Sequence, residues 1–262
     1  MARPFGASPF EDGNFIAYLT TGERLFLVRA AADVVELLGE EDGVGHGSEF
    51  NDEPENSEYS SYDSHDAASS VINHEEFSRD QDAETIAENL ERLLSALNNY
   101  DEPYIPTDPA IRRLLPDASL DAEIAAEFRK FTDFDLREQK VQRLLMFSAL
   151  LTDVDPSRDD DEHLEFVVPG ENTEAIAGAL GDIRIVLGER LDLKTDGDSE
   201  DLHDFVVGIQ QDLMTGALDE EDMSDDDERR YIMGILFELA GFLQESLVGC
   251  MLDEMRSRPP QK

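Results

Sequence analysis

The chain has 262 residues, of which 62 are acidic and 21 basic, so its formal net charge is −41. Such a charge repels nucleic-acid phosphates and anionic membranes, so it disfavours autonomous DNA binding and membrane association and favours basic protein partners. A single cysteine, Cys250, excludes an intrachain disulfide and any multi-cysteine metal site.

The first elements are a strand and a helix. Residues 14–19 alternate in hydrophobicity and predict a short strand. Thr20 and Glu23 then have the spacing of a capping box, in which each side chain accepts from the backbone N–H of the other. The helix that follows should end near Gly39, with an apolar face formed by Leu25, Val28, Ala32 and Val35.

Residues 39–80 form an acidic segment with one basic residue, Arg79, and no helical or strand period. Such a composition cannot bury enough apolar surface to offset the entropy of ordering. We predict a disordered acidic insertion within one domain, acting either as a solvating linker or as a tail that engages a partner.

Helical periodicity returns at Asp82 and continues to Leu97. After three prolines, Asp108 and Pro109 have the form of a helix start, and this short helix should end by Pro116. The segment 117–151 is helical in pattern, with a break predicted near residues 131–133, and it leads into an acidic loop at 153–162.

The second half of the chain alternates helices with acidic loops. Residues 165–168 are β-prone and are candidates to pair with the first strand. Three helices follow, around Ile183, Val206 and Leu239, and an acidic loop at 217–228 precedes the last of them. The expected fold is an all-α helical bundle with a small β element near the N-terminus, forming one domain over residues 1–258.

The sequence contains no specific catalytic or metal-binding pattern. The chain has no phosphate-binding glycine loop, nucleophile elbow or zinc-type helix, so we predict no catalytic residues, no metal and no cofactor. Without a signal core at the N-terminus or a long apolar run, a cytoplasmic location is expected. Cys250 is either a buried inert thiol or a candidate redox residue, and the nearby Asp253 and Glu254 disfavour its thiolate.

Positive charge is concentrated in one stretch, because seven of the 21 basic residues lie between Arg112 and Arg143. Two interpretations stay open: an intramolecular ion-pair network that holds helices together, or a surface that binds a partner. The candidate partner-binding residues are Arg112, Arg113, Arg129, Arg137, Lys140, Asp182 and Arg184.

This stretch also carries a resemblance. The blocks Arg113-Leu114-Leu115-Pro116-Asp117-Ala118 and Asp135-Leu136-Arg137-Glu138-x-Lys140, followed by 180–191 and 243–248, resemble an actinobacterial family known as a domain of unknown function. Members of that family are described as oxidative-stress transcriptional regulators that act with an RNA polymerase sigma factor on sulfur and thiol metabolism genes. The resemblance therefore implies a cytoplasmic regulator with protein partners. A switch based on an intramolecular disulfide is excluded by the single cysteine.

The leading hypothesis is a transcription-associated regulator that contacts a sigma factor or RNA polymerase and touches DNA only as part of that complex. An adaptor or regulator of Clp-type protein turnover is the alternative, because family genes tend to lie beside that of the Clp adaptor. The third is an enzyme of unrecognised type built on Glu127, Asp135 and Asp182. A homo-oligomer is compatible with all three.

Overall fold

The computed structural model describes residues 2–9, 13–39, 106–152, 162–219 and 222–257. They contain strands β1 (Arg3–Ala7), β2 (Phe15–Leu19) and β3 (Leu164–Val168), and helices α1 (Thr21–Gly39), α2 (Pro109–Leu114), α3 (Ala122–Thr152), α4 (Thr173–Arg190), α5 (Asp196–Thr215) and α6 (Asp225–Ser257). The predicted class, mainly helical with a small β element, is confirmed. Nearly all of the predicted insertion, the predicted helix at 82–97 and most of the acidic loop at 153–162 lie outside the described residues.

The three strands form one antiparallel sheet in the order β1-β2-β3. The predicted pairing of the later strand with the first predicted strand is confirmed, with Phe15 opposite Val168 and Leu19 opposite Leu164. β1 was not predicted. Its Phe5 N–H donates to Ser246 Oγ over 3.2 Å, so a side chain of α6 satisfies part of the edge of the sheet.

Helix α1 begins as predicted. The Thr20 N–H donates to Glu23 Oε2 over 2.9 Å, and the Glu23 N–H donates to Thr20 Oγ1 over 3.2 Å. The predicted apolar face is partly wrong, because Leu25 and Ala32 are only half-buried. The deepest side chains are instead Leu27, Ala31, Val34 and Leu38. The face is displaced because α1 packs against both α3 and α4.

Helix α3 is continuous, so the break predicted near residues 131–133 is wrong. Thr132 bonds within the helix, its Oγ1 donating to the Phe128 carbonyl over 3.0 Å. The C-terminal half of α3 buries Val141, Leu144, Phe147 and Leu151. Ile124 and Phe128 are four residues apart, as are Phe147 and Leu151, but they are 46 % and 53 % exposed.

Helix α4 lies at the centre of the structure and packs against α2, α3 and α6. Ile176, Leu180 and Ile183 lie on one face of this helix and are fully buried. Helix α6 contributes a buried face of Leu236, Ala240, Leu243 and Leu247. This helix begins at Asp225, inside the predicted acidic loop, because carboxylates in a first turn interact favourably with the helix dipole.

Helix α5 is attached mainly through its N-terminal half. Leu202 and Val206 are buried, whereas Phe205 and Ile209 are half-buried. The contact with α6 is made at Gly234, where a Cβ atom would lie 2.7 Å from Val206 Cγ2. A larger residue at position 234 would therefore force α5 and α6 apart.

Candidate partner-binding surface

The buried carboxylate of Asp182 joins α3 to α4. Its Oδ1 accepts from Lys140 Nζ over 2.7 Å and its Oδ2 from Arg143 Nε over 2.6 Å, while the Asp182 side chain is only 1 % exposed. Arg143 reaches this position across Gly178, where a Cβ atom would lie 2.7 Å from its Nη1. The Asp182 carboxylate binds two cations of α3, and the absence of a side chain at Gly178 lets Arg143 reach it. This cluster therefore joins the two helices.

Arg137 is a second buried charge and lies at the C-terminal end of α1. Its Nη1 donates to the Leu38 carbonyl over 2.6 Å and its Nε to Asp133 Oδ2 over 2.7 Å. Carbonyls at a helix C-terminus have no partner within the helix. Arg137 therefore caps α1 from α3, and it is not displayed on the surface.

Three other predicted partner-binding residues also bond within the fold. Arg112 Nε donates to the Pro106 carbonyl over 2.6 Å. Arg113 pairs with Glu189 of α4 over 2.7 Å. Arg129 pairs with Asp117. Like Lys140, Asp182 and Arg137, these residues bond to groups of the same chain, mostly in separate pairs. Their role in partner binding stays a prediction.

Arg184, the last predicted partner-binding residue, lies on a different face of α4. Its Nη1 donates to Gln244 Oε1 over 2.8 Å, and Gln244 Nε2 donates in turn to the Ala177 carbonyl over 3.0 Å. The guanidinium lies 5.2 Å from the centre of the Phe237 ring. Its Nε is buried without an acceptor among the described residues. Arg184 thus lies between α4 and α6, with the Phe237 ring beside its guanidinium.

Arg184 forms part of the floor of a surface groove of about 600 Å³ between α4, α5 and α6. We call this feature the α6 groove. Sequence reasoning identified only Arg184 in it, because the other side chains come from helices whose relative positions no local pattern gives. It is lined by Arg184, His203, Phe237, Glu238, Gly241, Phe242, Gln244, Glu245 and Val248.

The groove is apolar along its length and acidic at its rim. Phe242 and Val248 are 42 % and 38 % exposed. Glu238 pairs across the groove with His203 Nδ1 over 2.9 Å, and Glu245 is exposed. A contiguous apolar strip bordered by polar groups is typical of a protein-binding surface.

Cys250 lies on α6 beside β1. Its Sγ donates to the Phe5 carbonyl over 3.3 Å. Burial raises the pKa of the thiol, and the charge of Asp253 raises that pKa further. Both effects favour the protonated thiol, which is neither a good nucleophile nor easily oxidised. The geometry therefore supports the inert interpretation of Cys250 more than the redox one.

The three carboxylates proposed for an enzyme differ in their surroundings. Both oxygens of Asp182 are occupied by Lys140 and Arg143, whereas Glu127 and Asp135 are exposed on α3. Within the described ranges, no group of three or more His, Cys, Asp or Glu side chains is arranged to hold a metal ion.

Helix α6 is, among the helices that the structure describes, the one long and apolar enough to cross a membrane by length and composition. The sequence was not expected to contain a run apolar enough for a membrane span. Leu243 and Leu247 on the same helix lie in the core beside α4 and β1. Length and composition are weak evidence of a span, because core helices share both properties.

Comparison with known proteins gives one match. A family model described as "Domain of unknown function (DUF2017)" matches residues 3–251. No curated protein matches, and no solved structure matches.

Proposed function

We propose that this chain, which belongs to the DUF2017 family, is a transcription-associated regulator that binds a basic surface of RNA polymerase or of its sigma factor. The specific pathway, the oxidative-stress and thiol-metabolism response, is part of the proposal. It is supported by the resemblance of blocks 113–118, 135–140, 180–191 and 243–248 to actinobacterial regulators. The proposed location is the cytoplasm, where that machinery works.

One electrostatic observation carries the proposal. The net charge is −41, and the most basic stretch of the chain directs its side chains to internal acceptors, as Arg113, Arg137 and Lys140 illustrate. Cations held in this way are not available to contact a phosphate backbone. The exterior is consequently acidic, which favours basic protein surfaces and accelerates association with them.

The proposal is tested with purified components. The labelled full-length chain is titrated with sigma factor, with polymerase holoenzyme and with bare promoter DNA, each at low and physiological salt. We expect binding to sigma factor or holoenzyme that weakens as salt rises, and no binding to DNA alone. Tight binding of bare DNA at physiological salt contradicts the proposal. If the chain binds a Clp component and does not bind polymerase, the protein-turnover adaptor becomes the better-supported function.

The same titration repeated after peroxide treatment tests redox control. Because the Cys250 thiol is protonated and bonded to the Phe5 carbonyl, we expect oxidant to leave the affinity unchanged. A large change that is abolished in Cys250→Ala would assign the redox response to this residue.

A further inference from the structure

We propose that the α6 groove receives a basic, amphipathic α-helix of a partner protein. The inference rests on the proposed function, since it assigns the surface and the class of segment through which the transcription machinery would be bound. Three properties of the groove lead to it: the length of α6 that the described residues leave exposed, the spacing of the exposed apolar side chains, and the sign of the charge at the rim.

The first property is a change in how α6 is covered. At Gly234 the helix is overlaid closely by Val206 and Leu202 of α5. Further along α6, on the same side, Val248, Leu252 and Met255 are 38 %, 40 % and 63 % exposed. From Gly241 to Met255 the helix rises about 20 Å. This length matches a partner helix of about four turns.

The second property is the arrangement of apolar side chains. Val248, Leu252 and Met255 are exposed and follow one another at intervals of four and three residues, so they form one strip. Phe242 lines the groove beside this strip. Phe237 extends this strip beneath the guanidinium of Arg184. A groove of this form is recognised by an amphipathic helix through anchors spaced three, four and seven residues apart.

The third property is charge. Glu238 and Glu245 line the groove, and Asp253 follows on an exposed turn of α6. Arg256 pairs with Asp253 over 3.2 Å. Arg184 keeps its charge but lies at the floor of the groove, where it bonds to Gln244, whereas Glu245 is exposed at the rim. The rim is therefore complementary to Lys and Arg on the polar face of a partner helix.

Charge also disfavours two other occupants. A second copy of the chain would place the same acidic rim against this one, and each copy has a net charge of −41. An acidic peptide would meet Arg184 but also Glu238 and Glu245. Like charges brought together in an interface lower affinity and select against such partners.

The test uses a labelled synthetic peptide of about 14 residues, made of Leu and Lys in an amphipathic helical pattern. Peptides of the same composition in scrambled order, and a Leu/Glu version, are the controls. Binding to the full chain is measured by fluorescence anisotropy at physiological salt. We expect the patterned basic peptide to bind at least about tenfold more tightly than the scrambled one, because only it presents an apolar face.

Three variants locate the binding. Phe242→Ser and Val248→Ser should each weaken the patterned peptide by about tenfold or more, as loss of an interface anchor does. Glu245→Lys should weaken it and flatten the salt dependence. The matched controls are Phe128→Ser and Glu127→Lys on α3, which change the same residue types on another surface and should alter affinity by less than about twofold. Thermal unfolding of every variant establishes that it is folded.

The outcomes separate this inference from the proposed function when sigma factor and holoenzyme are titrated in parallel. Loss of both peptide and polymerase binding in the groove variants supports both proposals. Peptide binding at the groove without any polymerase binding supports the groove and contradicts the proposed function. The groove inference is overturned if patterned and scrambled peptides bind equally, or if the α3 controls weaken binding as much as the groove variants. Self-association that Val248→Ser abolishes also overturns it, in favour of a second copy.

Discussion

Two sites built on α4 use neighbouring residues in opposite ways. Asp182 faces α3, is 1 % exposed and accepts from both Lys140 and Arg143. Arg184, two residues later, faces α6 and bonds to one neutral amide, Gln244. Residues two apart on a helix point to different sides. One short block of sequence therefore contributes to an internal joint, which we call the Asp182 cluster, and to the open α6 groove.

The comparison teaches which charges hold the structure and which are available to a partner. The Asp182 cluster is buried and fully paired, so removing one member should cost stability. The α6 groove lies on the surface and Glu245 is exposed at its rim, so changing it should cost binding and little stability. The following predictions test that division, from the largest expected effect to the smallest.

The largest effect is expected for Asp182→Ala. It leaves Lys140 and Arg143 without their carboxylate in a buried site, and breaking a buried pair in this way costs about 3–5 kcal/mol. Urea unfolding followed by circular dichroism measures the change. The control is Asp253→Ala, which removes an exposed pair with Arg256 and should change the free energy of unfolding by less than about 0.5 kcal/mol. If Asp182→Ala and Asp253→Ala lowered the free energy of unfolding equally, the distinction between internal and surface ion pairs would be wrong.

The next effect is expected for Asp33→Asn on α1, and it depends on pH. Burial raises the pKa of Asp33 from 3.8 to about 6, against the opposing charge of Arg29. The folded state therefore holds this proton more tightly than the unfolded chain does. The contribution of Asp33 to the free energy of unfolding is fully present below pH 3.8, and it is lost as the pH rises through about 6. At one pKa unit per 1.36 kcal/mol, the loss is at most about 3 kcal/mol.

Asn removes the ionisation without removing the polar group. Asp33→Asn should therefore raise the free energy of unfolding above pH 6 and have little effect near pH 4. Urea unfolding at several pH values measures this difference. The result sharpens the contrast between two carboxylates. Asp182 bonds to two cations, whereas burial is the largest influence on the pKa of Asp33. A variant that is stabilised equally at both pH values would show that Asp33 does not titrate as expected.

A smaller effect is expected at Cys250. Replacement by Ala removes the weak bond to the Phe5 carbonyl and should lower the free energy of unfolding by about 1 kcal/mol. In the folded wild type, the raised pKa of the thiol should shift the pH profile of alkylation upward relative to the denatured chain. Reaction as fast as in the denatured chain at neutral pH would contradict the protected position.

The smallest effect on stability is expected for Phe242→Ser and Val248→Ser, within about 0.5 kcal/mol of wild type, because both side chains are partly exposed. The same variants should lose binding of the basic amphipathic peptide. A loss of stability similar to that of Asp182→Ala would mean that the α6 groove is part of the scaffold.

Local signals were sufficient for the starts of α1 and α2 and for one strand pair. The capping residues Thr20 and Glu23 make the predicted reciprocal bonds, and Asp108 caps α2, its carboxylate accepting from the Ala110 N–H over 2.6 Å. Such bonds join residues two or three apart, so the sequence contains all the information that they need. β1 gave no such signal, because part of its edge is satisfied by α6, more than two hundred residues away in the chain.

The α3 helix shows the limit of periodicity. Ile124 and Phe128 repeat with the same spacing as Phe147 and Leu151, but only the later pair is buried. The spacing says that residues share a face, and burial depends on which element lies opposite that face. The break was predicted near residues 131–133, which include polar residues. In the structure the Thr132 hydroxyl donates to the Phe128 carbonyl in the preceding turn, so the helix continues through this position.

The sequence by itself determined the acidic character of the protein, its helical class and the residues that share each helical face. These properties depend on composition and on contacts within one or two turns. The tertiary structure alone decided that Asp182 and Lys140 meet, that Arg184 lies beside Phe237, and that α5 packs against α6 at Gly234. Those outcomes depend on how helices distant in the chain pack together, and side-chain volume and burial settle that packing over the whole core.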